Sequence, residues 1–191
     1  MSETYKTKFE VLKILRDNIF AGLESFGLPT KNTDEENGWD CVEAEQPSFK
    51  NVDKMVAVYL DKIERVGWQG VHQEYNEETQ RFEETDHWIE QQTWMIRVFK
   101  RMKTDPPSSD TLTSTDVCGM LIAWFNRLGC AEFRKHYCAN LFVQMKDLKT
   151  YKGPSDVSQW ASQFPLKLQV PKLFTTSIPS AQVKYEGMIG V

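Results

Sequence analysis

Two cysteines and a histidine crowd into the stretch GCAEFRKHYC, as Cys130, His136 and Cys138. Such groups can hold zinc, or pair as a thiolate nucleophile with its base. A closed zinc site usually draws its ligands from paired C-x2-4-C or H-x3-5-H spacings. Here the spacing is C-x5-H-x-C, and no second pair exists: Cys41 is remote, while His72 and His87 sit in a polar stretch. A Cys–His nucleophile also needs spatial contact and an orienting third group, and no local protease signature is present. The segment follows a helix stop and precedes a strand, where Cys138 reads as a small buried hydrophobe. The expectation is a structural segment, with no metal, no cofactor and no catalytic residue. A cytosolic thiol enzyme using Cys130 or Cys138 with His136 is the enzymatic alternative.

A second cluster is acidic. Glu74, Glu77, Glu78, Glu83, Glu84 and Asp86 face only Arg81 between residues 74 and 86. Paired carboxylates can do acid–base work or bind a divalent cation. The EF-hand loop pattern is absent, and a carboxylate-rich hairpin tip is usually just solvated. The functional alternative is a negative surface that repels DNA or meets a partner protein. Trp68 and Trp88 flank it and complete the candidate interface. No Gly-rich phosphate loop, G-x-S-x-G or HExxH motif occurs.

These residues need elements to hold them. A chain of 191 residues suits one domain, and 40% hydrophobic residues can fill its core. Net charge is −4 and no basic block marks a sequence-reading DNA binder. No apolar run approaches the length of a membrane span, and the start of the chain lacks the apolar region of a signal peptide. The expectation is a protein of a reducing compartment, off the membrane, whose four cysteines are free thiols.

Leu12, Leu15, Ile19, Leu23 and Phe26 recur at helical spacing, and Gly27 and Pro29 stop the run, so a helix is predicted over 6–26. Residues 28–52 read as a long loop pinned by Trp39, Val42 and Phe49. KMVAVYLDKI reads as an interior strand. Two polar strands then flank the turn NEET, and residues 68–94 read as a projecting hairpin whose second arm runs on into TWMIRVFKRM. After KTDPPSSD comes a second helix, TSTDVCGMLIAWFNRLG, with Val117, Met120, Leu121, Trp124 and Leu128 as its stripe. ANLFVQMKDLK reads as a strand and YKGPSD as a turn. In SQWASQFPLKLQVPKLF, Trp160, Phe164, Leu166, Leu168 and Val170 alternate with Gln159, Gln163, Lys167 and Gln169, the cleanest period-2 signal in the chain. Pro165 favours an edge position or a bulge. SAQVKYEGMIGV reads as a last short strand. The sum is a single α+β domain over 1–191, a mainly antiparallel sheet flanked by two main helices, with a long polar β-hairpin.

This order, from EQPSF through WMIRVFKRM, DVCGMLIAWFNRLG and LFVQMKDL to QVKYEGMIGV, resembles the tail-terminator proteins of tailed phages, most closely the neck-terminator type. The resemblance covers nearly the whole chain through diffuse patterns rather than signatures, and the Cys/His segment adds nothing to it. It implies a non-enzymatic virion subunit, assembled in the host cytoplasm into a homo-oligomeric ring, usually of six copies. Such a ring caps the head-proximal end of the tail tube and docks to the head–tail connector or neck protein, with the tail sheath as a further neighbour. Genomic DNA would pass its acidic lumen without sequence-specific binding. Another head–tail adaptor or a baseplate component is the alternative within the same class.

Overall fold

The computed structural model describes residues 8–43, 54–101, 112–129, 149–152 and 159–179. The GCAEFRKHYC segment, Phe49, most of ANLFVQMKDLK and the SAQVKYEGMIGV strand lie outside the described residues. The fold is mixed α+β: a curled sheet of about five strands with two helices.

Helix α1 (Lys8–Ser25) buries Val11, Leu15, Ile19 and Leu23, one side chain every fourth residue. That spacing keeps them on one face of a helix. The stripe sits slightly round from the expected one: Val11 and Phe20 go in, Leu12 is half-buried and Phe26 is exposed. The helix ends in a Schellman motif. Gly27 takes φ 74°, Leu28 N–H donates to Leu23 C=O at 3.0 Å, and Gly27 N–H donates to Glu24 C=O at 2.9 Å.

The predicted long loop contains ordered structure. Thr30 bridges Trp39, whose indole is buried in the main core, and Trp39 N–H donates to Pro29 C=O at 2.8 Å. Residues Asp40–Glu43 form strand β1. Its four residues are too few for alternation to separate from a polar connection.

Strand β2 (Lys54–Asn76) and strand β3 (Arg81–Arg101) make one long antiparallel hairpin. The two strands predicted before the NEET turn are thus a single strand. Register shifts between Leu60 and Lys62 and between Val66 and Gly70 break its periodicity. A one-residue bulge turns every following side chain to the other face, so a period-2 reading sees a new strand. Strand β4 (Lys149–Lys152) enters the stretch expected to turn at YKGPSD, and strand β5 spans Gln159–Pro179. The order across the sheet is β1-β2-β3-β5-β4. All neighbours are antiparallel except β1 and β2, which are parallel.

One face of the sheet carries the helices. Val56 and Val58 from β2, Trp94, Ile96 and Val98 from β3, and Phe164, Leu166, Leu168 and Val170 from β5 share a core with both helices. The alternation in 164–170 therefore has the predicted register. The side chain of Trp160, expected in the same row, is outside the described set. Gln163 points to the opposite face, as expected, but it is buried there. Its Oε1 accepts from Arg97 Nε at 2.8 Å, beside a second cluster of Met55, Ala57 and Phe99.

Helix α2 (Ser114–Trp124) begins with a capping box: Asp116 N–H donates to Thr113 Oγ1, and Thr113 N–H donates to Asp116. Val117, Cys118, Leu121 and Ile122 are buried, and the chain widens to a π-helix over Phe125–Gly129, where Phe125 is buried too. Met120 and Trp124, expected in the stripe, are only partly buried, and the side chain of Leu128 is not described. Ser162 holds the start of α2 to the sheet: its Oγ lies 2.9 Å from Ser114 Oγ, and its carbonyl accepts from Cys118 Sγ at 3.3 Å. Thr113→Ala removes the cap and should cost about 1 kcal/mol, read as a lower urea midpoint at unchanged m value.

Candidate interaction surface

Six candidate carboxylates come together where β2 and β3 meet. Glu77 and Glu78 lie in the turn, Glu74 stands directly opposite Glu83, and Glu84 stands opposite Gln73. The turn is built by Asn76. Its Oδ1 accepts from the backbone N–H of Glu78 at 3.0 Å and of Thr79 at 3.2 Å, an Asx turn. Its Nδ2 donates to Glu83 at 2.8 Å, and Gln80 takes φ 52° to close the loop. Gln73 donates to Glu84 at 2.7 Å, and Tyr75 packs on Phe82 with ring centroids 5.1 Å apart. The carboxylates are thus spread over both faces and the turn, rather than converging on a point. Among the described residues, no three His, Cys, Asp or Glu side chains are grouped to hold a metal ion.

This tip is not an isolated two-stranded hairpin. Strand β5 pairs with β3 along its full length, from Arg101 opposite Gln159 to Arg81 opposite Pro179. The projecting element is a three-stranded ribbon. At its root, Trp94 is fully buried and belongs to the core, not to the projection as the 68–94 boundary implied.

Between the core and the tip lies a polar row on the helix-bearing side. Trp94 Nε1 donates to Gln92 at 3.1 Å, Gln92 Nε2 donates to Glu90 at 3.4 Å, and Trp88 Nε1 donates to Glu90 at 3.3 Å. Residues two apart on a strand share a face, which is why the row runs along β3. Lys172 of β5 reaches Glu90 at 3.7 Å and is only 3% exposed. A buried ammonium needs such a counter-charge. Arg65 lies over the Trp88 ring, 4.7 Å from its centroid. Trp88 is therefore half-buried in this row. The side chain of Trp68 is outside the described set, and its backbone falls in the Val66–Gly70 irregularity, where Gly67 adopts φ 82°. Sequence reading missed Arg65, Glu90, Gln92 and Lys172. The signal was present: alternate positions of β3 read Trp88, Glu90, Gln92, Trp94, a mixed row merging into an apolar one.

Of the cysteines, Cys41 and Cys118 are free and buried, and Cys130 and Cys138 lie outside the described residues. Burial pushes the Cys41 thiol up to about 12 against a lowering pull from Arg16, and burial raises Cys118 as well. Both should resist alkylation in the folded chain at pH 8 and react once it is unfolded, as mapped by mass spectrometry. Their raised values also set a pH dependence. Above about pH 9 the unfolded chain ionises Cys41 first, so stability should fall as pH rises from there toward 12.

No protein-family model and no curated protein matches the chain. No helix among the described residues is long and apolar enough to cross a membrane.

Proposed function

We propose that this chain is a structural subunit of a tailed-phage virion, of the tail-terminator or neck-terminator type. Copies assemble into a ring, expected to hold six, that caps the head-proximal end of the tail tube and joins it to the head–tail connector. Its partners are other copies of itself, the tube protein, the connector or neck protein and the sheath, and genomic DNA passes without being read. The observation that carries this reading is the ribbon. Beyond the last core row, where Val170 stands opposite Glu90, it extends by nine residues of β3, roughly 30 Å at the usual rise per residue. It ends in carboxylates, and most side chains of β2 along it are exposed. A domain that only needed to fold would have no use for such a length, whereas an assembly subunit uses it to reach a neighbour. The second support is chemical: the described carboxylates are dispersed and the described thiols buried, which suits a scaffold better than a catalyst.

The test is to add the purified protein to growing tail tubes of its own phage and image them. Tubes should stop at uniform length and carry density at one end. Tubes of unlimited length with bare ends would remove the terminator reading. Density at the opposite, distal end would move the protein to the baseplate.

A further inference from the structure

We propose that the tip of the ribbon joins two copies of this chain edge to edge, with residues 70–76 of β2 pairing antiparallel with the same residues of a second copy. This goes beyond the ring reading and does not depend on it. A twofold contact closes at two copies, so a ring needs a separate contact elsewhere.

The open edge lies on β2. Strand β1 pairs with β2 only as far as Val58, and among the described residues nothing else pairs on that side. Val71, His72, Gln73, Glu74 and Tyr75 are all exposed, so neither face of the strand is covered there. The side chains of His72 and Glu74 are 69% and 79% exposed. From Gly70 to Asn76 the register with β3 runs without a shift. The stretch holds no proline and no lysine, which are common guards of an edge. The opposite edge of the ribbon is guarded: Pro165, Pro171 and Pro179 of β5 stand opposite Met95, Ile89 and Arg81.

Those prolines also fix which backbone groups of β2 face outward. A proline nitrogen fits a paired strand only where it points away from the partner. The odd residues of β5 therefore turn their backbone groups away from β3, and the odd residues of β3 opposite them turn theirs toward β2. Even residues of β3 face β5, and Glu84 C=O accepts from Thr176 Oγ1 on that side at 3.4 Å. On β2 the partners of His87, Thr85, Glu83 and Arg81 are Gly70, His72, Glu74 and Asn76. Val71, Gln73 and Tyr75 thus aim their N–H and C=O at the open edge.

A twofold axis normal to the sheet brings two such edges together with the same face up, so odd residues meet odd and even meet even. With Gln73 opposite Gln73 of the second copy, Val71 falls opposite Tyr75 and His72 opposite Glu74. Each odd pair exchanges both of its N–H···O=C bonds. Val71 on Tyr75 is a β-branched residue on an aromatic one, a favourable cross-strand pair. Each imidazole N–H has a carboxylate acceptor directly opposite. Moving the axis to His72 sets the two imidazoles against each other. Moving it to Glu74 sets two carboxylates together, which destabilises a ladder. The run VHQEY therefore specifies its own register.

The experiment is disulfide trapping in the full chain. Directly opposite residues of a hydrogen-bonded pair lie about 5.5 Å apart between Cα atoms, within reach of a disulfide. Gln73→Cys should cross-link to itself under mild oxidation. His72→Cys and Glu74→Cys should each stay unlinked alone and cross-link when mixed. The wild type, oxidised alongside, reports any link through the native cysteines. Gln73→Pro removes an outward donor and leaves the ladder to β3 intact. Added to both members of the mixed pair, it should lower the cross-linked yield about tenfold. Thermal melts establish that each variant is folded. If Gln73→Pro unfolds the chain, His72→Glu takes its place: it should weaken trapping of Gln73→Cys about tenfold, and Glu74→Lys beside it should restore trapping. No link in Gln73→Cys, an equal link in His72→Cys alone, or full trapping despite Gln73→Pro would each overturn the proposal. Rings that form while Gln73→Cys stays unlinked would overturn this contact and leave the ring reading standing. Trapped pairs from a chain that never caps tail tubes would sink the terminator reading and leave this contact standing.

Discussion

Trp94→Ala should lower the stability of the folded chain by about 3–5 kcal/mol, the range for emptying a large aromatic site in a core. Trp94 is fully buried on β3, with Leu60 on one side in the register and Leu166 on the other. The substitution does two things. It leaves a cavity among the rows contributed by three strands, and it removes the indole donor of Gln92, itself only 3% exposed. A buried acceptor that loses its donor carries its own desolvation penalty. Leu166→Ala, in the same row, should cost about 2–5 kcal/mol, and Lys167→Ala, exposed on the opposite face, should stay within about 0.5 kcal/mol. Urea titrations of the three variants give the ranking. If Lys167→Ala proved as costly as Leu166→Ala, the register of β5 would be wrong by one residue.

Shortening the ribbon should have the opposite profile: a large effect on assembly and a small one on folding. Gly70 and His87 are register partners, so residues 71–86 can be replaced by an Asn-Gly turn without disturbing the strands below. The deletion removes all six candidate carboxylates together with Val71 and Tyr75. It keeps the row from Trp88 to Trp94 and the whole helix-covered core. The side chains lost from β2 are mostly exposed, so little buried apolar area goes with them. The end of β5 loses its partner strand and becomes free. The shortened chain should therefore unfold cooperatively near the wild-type midpoint while its self-association weakens by at least tenfold, about 1.4 kcal/mol. Loss of cooperative folding would make the ribbon part of the core. Normal association would remove it from the interface.

The alternation of Phe164, Leu166, Leu168 and Val170 was legible because each side chain on that face is apolar and each neighbour is not. Both helices were legible from their spacing, and Gly27 marked the end of the first; the Thr113 cap of the second was seen only in the structure. Three features were hidden for physical reasons. The run Asp40–Glu43 has only four residues, and its pairing with β2 is a tertiary event with no local signature. The continuity of β2 was masked by its irregularities: the one-residue shift after Leu60 changes the parity of the pattern, and two extra residues fall between Val66 and Gly70. The extension of β5 to Pro179 was masked by prolines, which usually argue against a strand. That last omission changed the candidate site most, since it made a two-stranded hairpin out of a three-stranded ribbon. The acidic residues were found from composition alone, but the Arg65, Glu90 and Lys172 group required the register between strands distant in sequence. Ser162 shows the same limit: a polar residue in an apolar row has meaning only once the start of α2 is seen against it.

The central claim is that this chain is an assembly subunit built to bind copies of itself. Sedimentation of the full-length protein at low ionic strength, over a wide range of concentration, measures that directly. The account predicts a closed species of fixed copy number, six being the expectation, seen as rings in electron micrographs. A monomer at every concentration would contradict it.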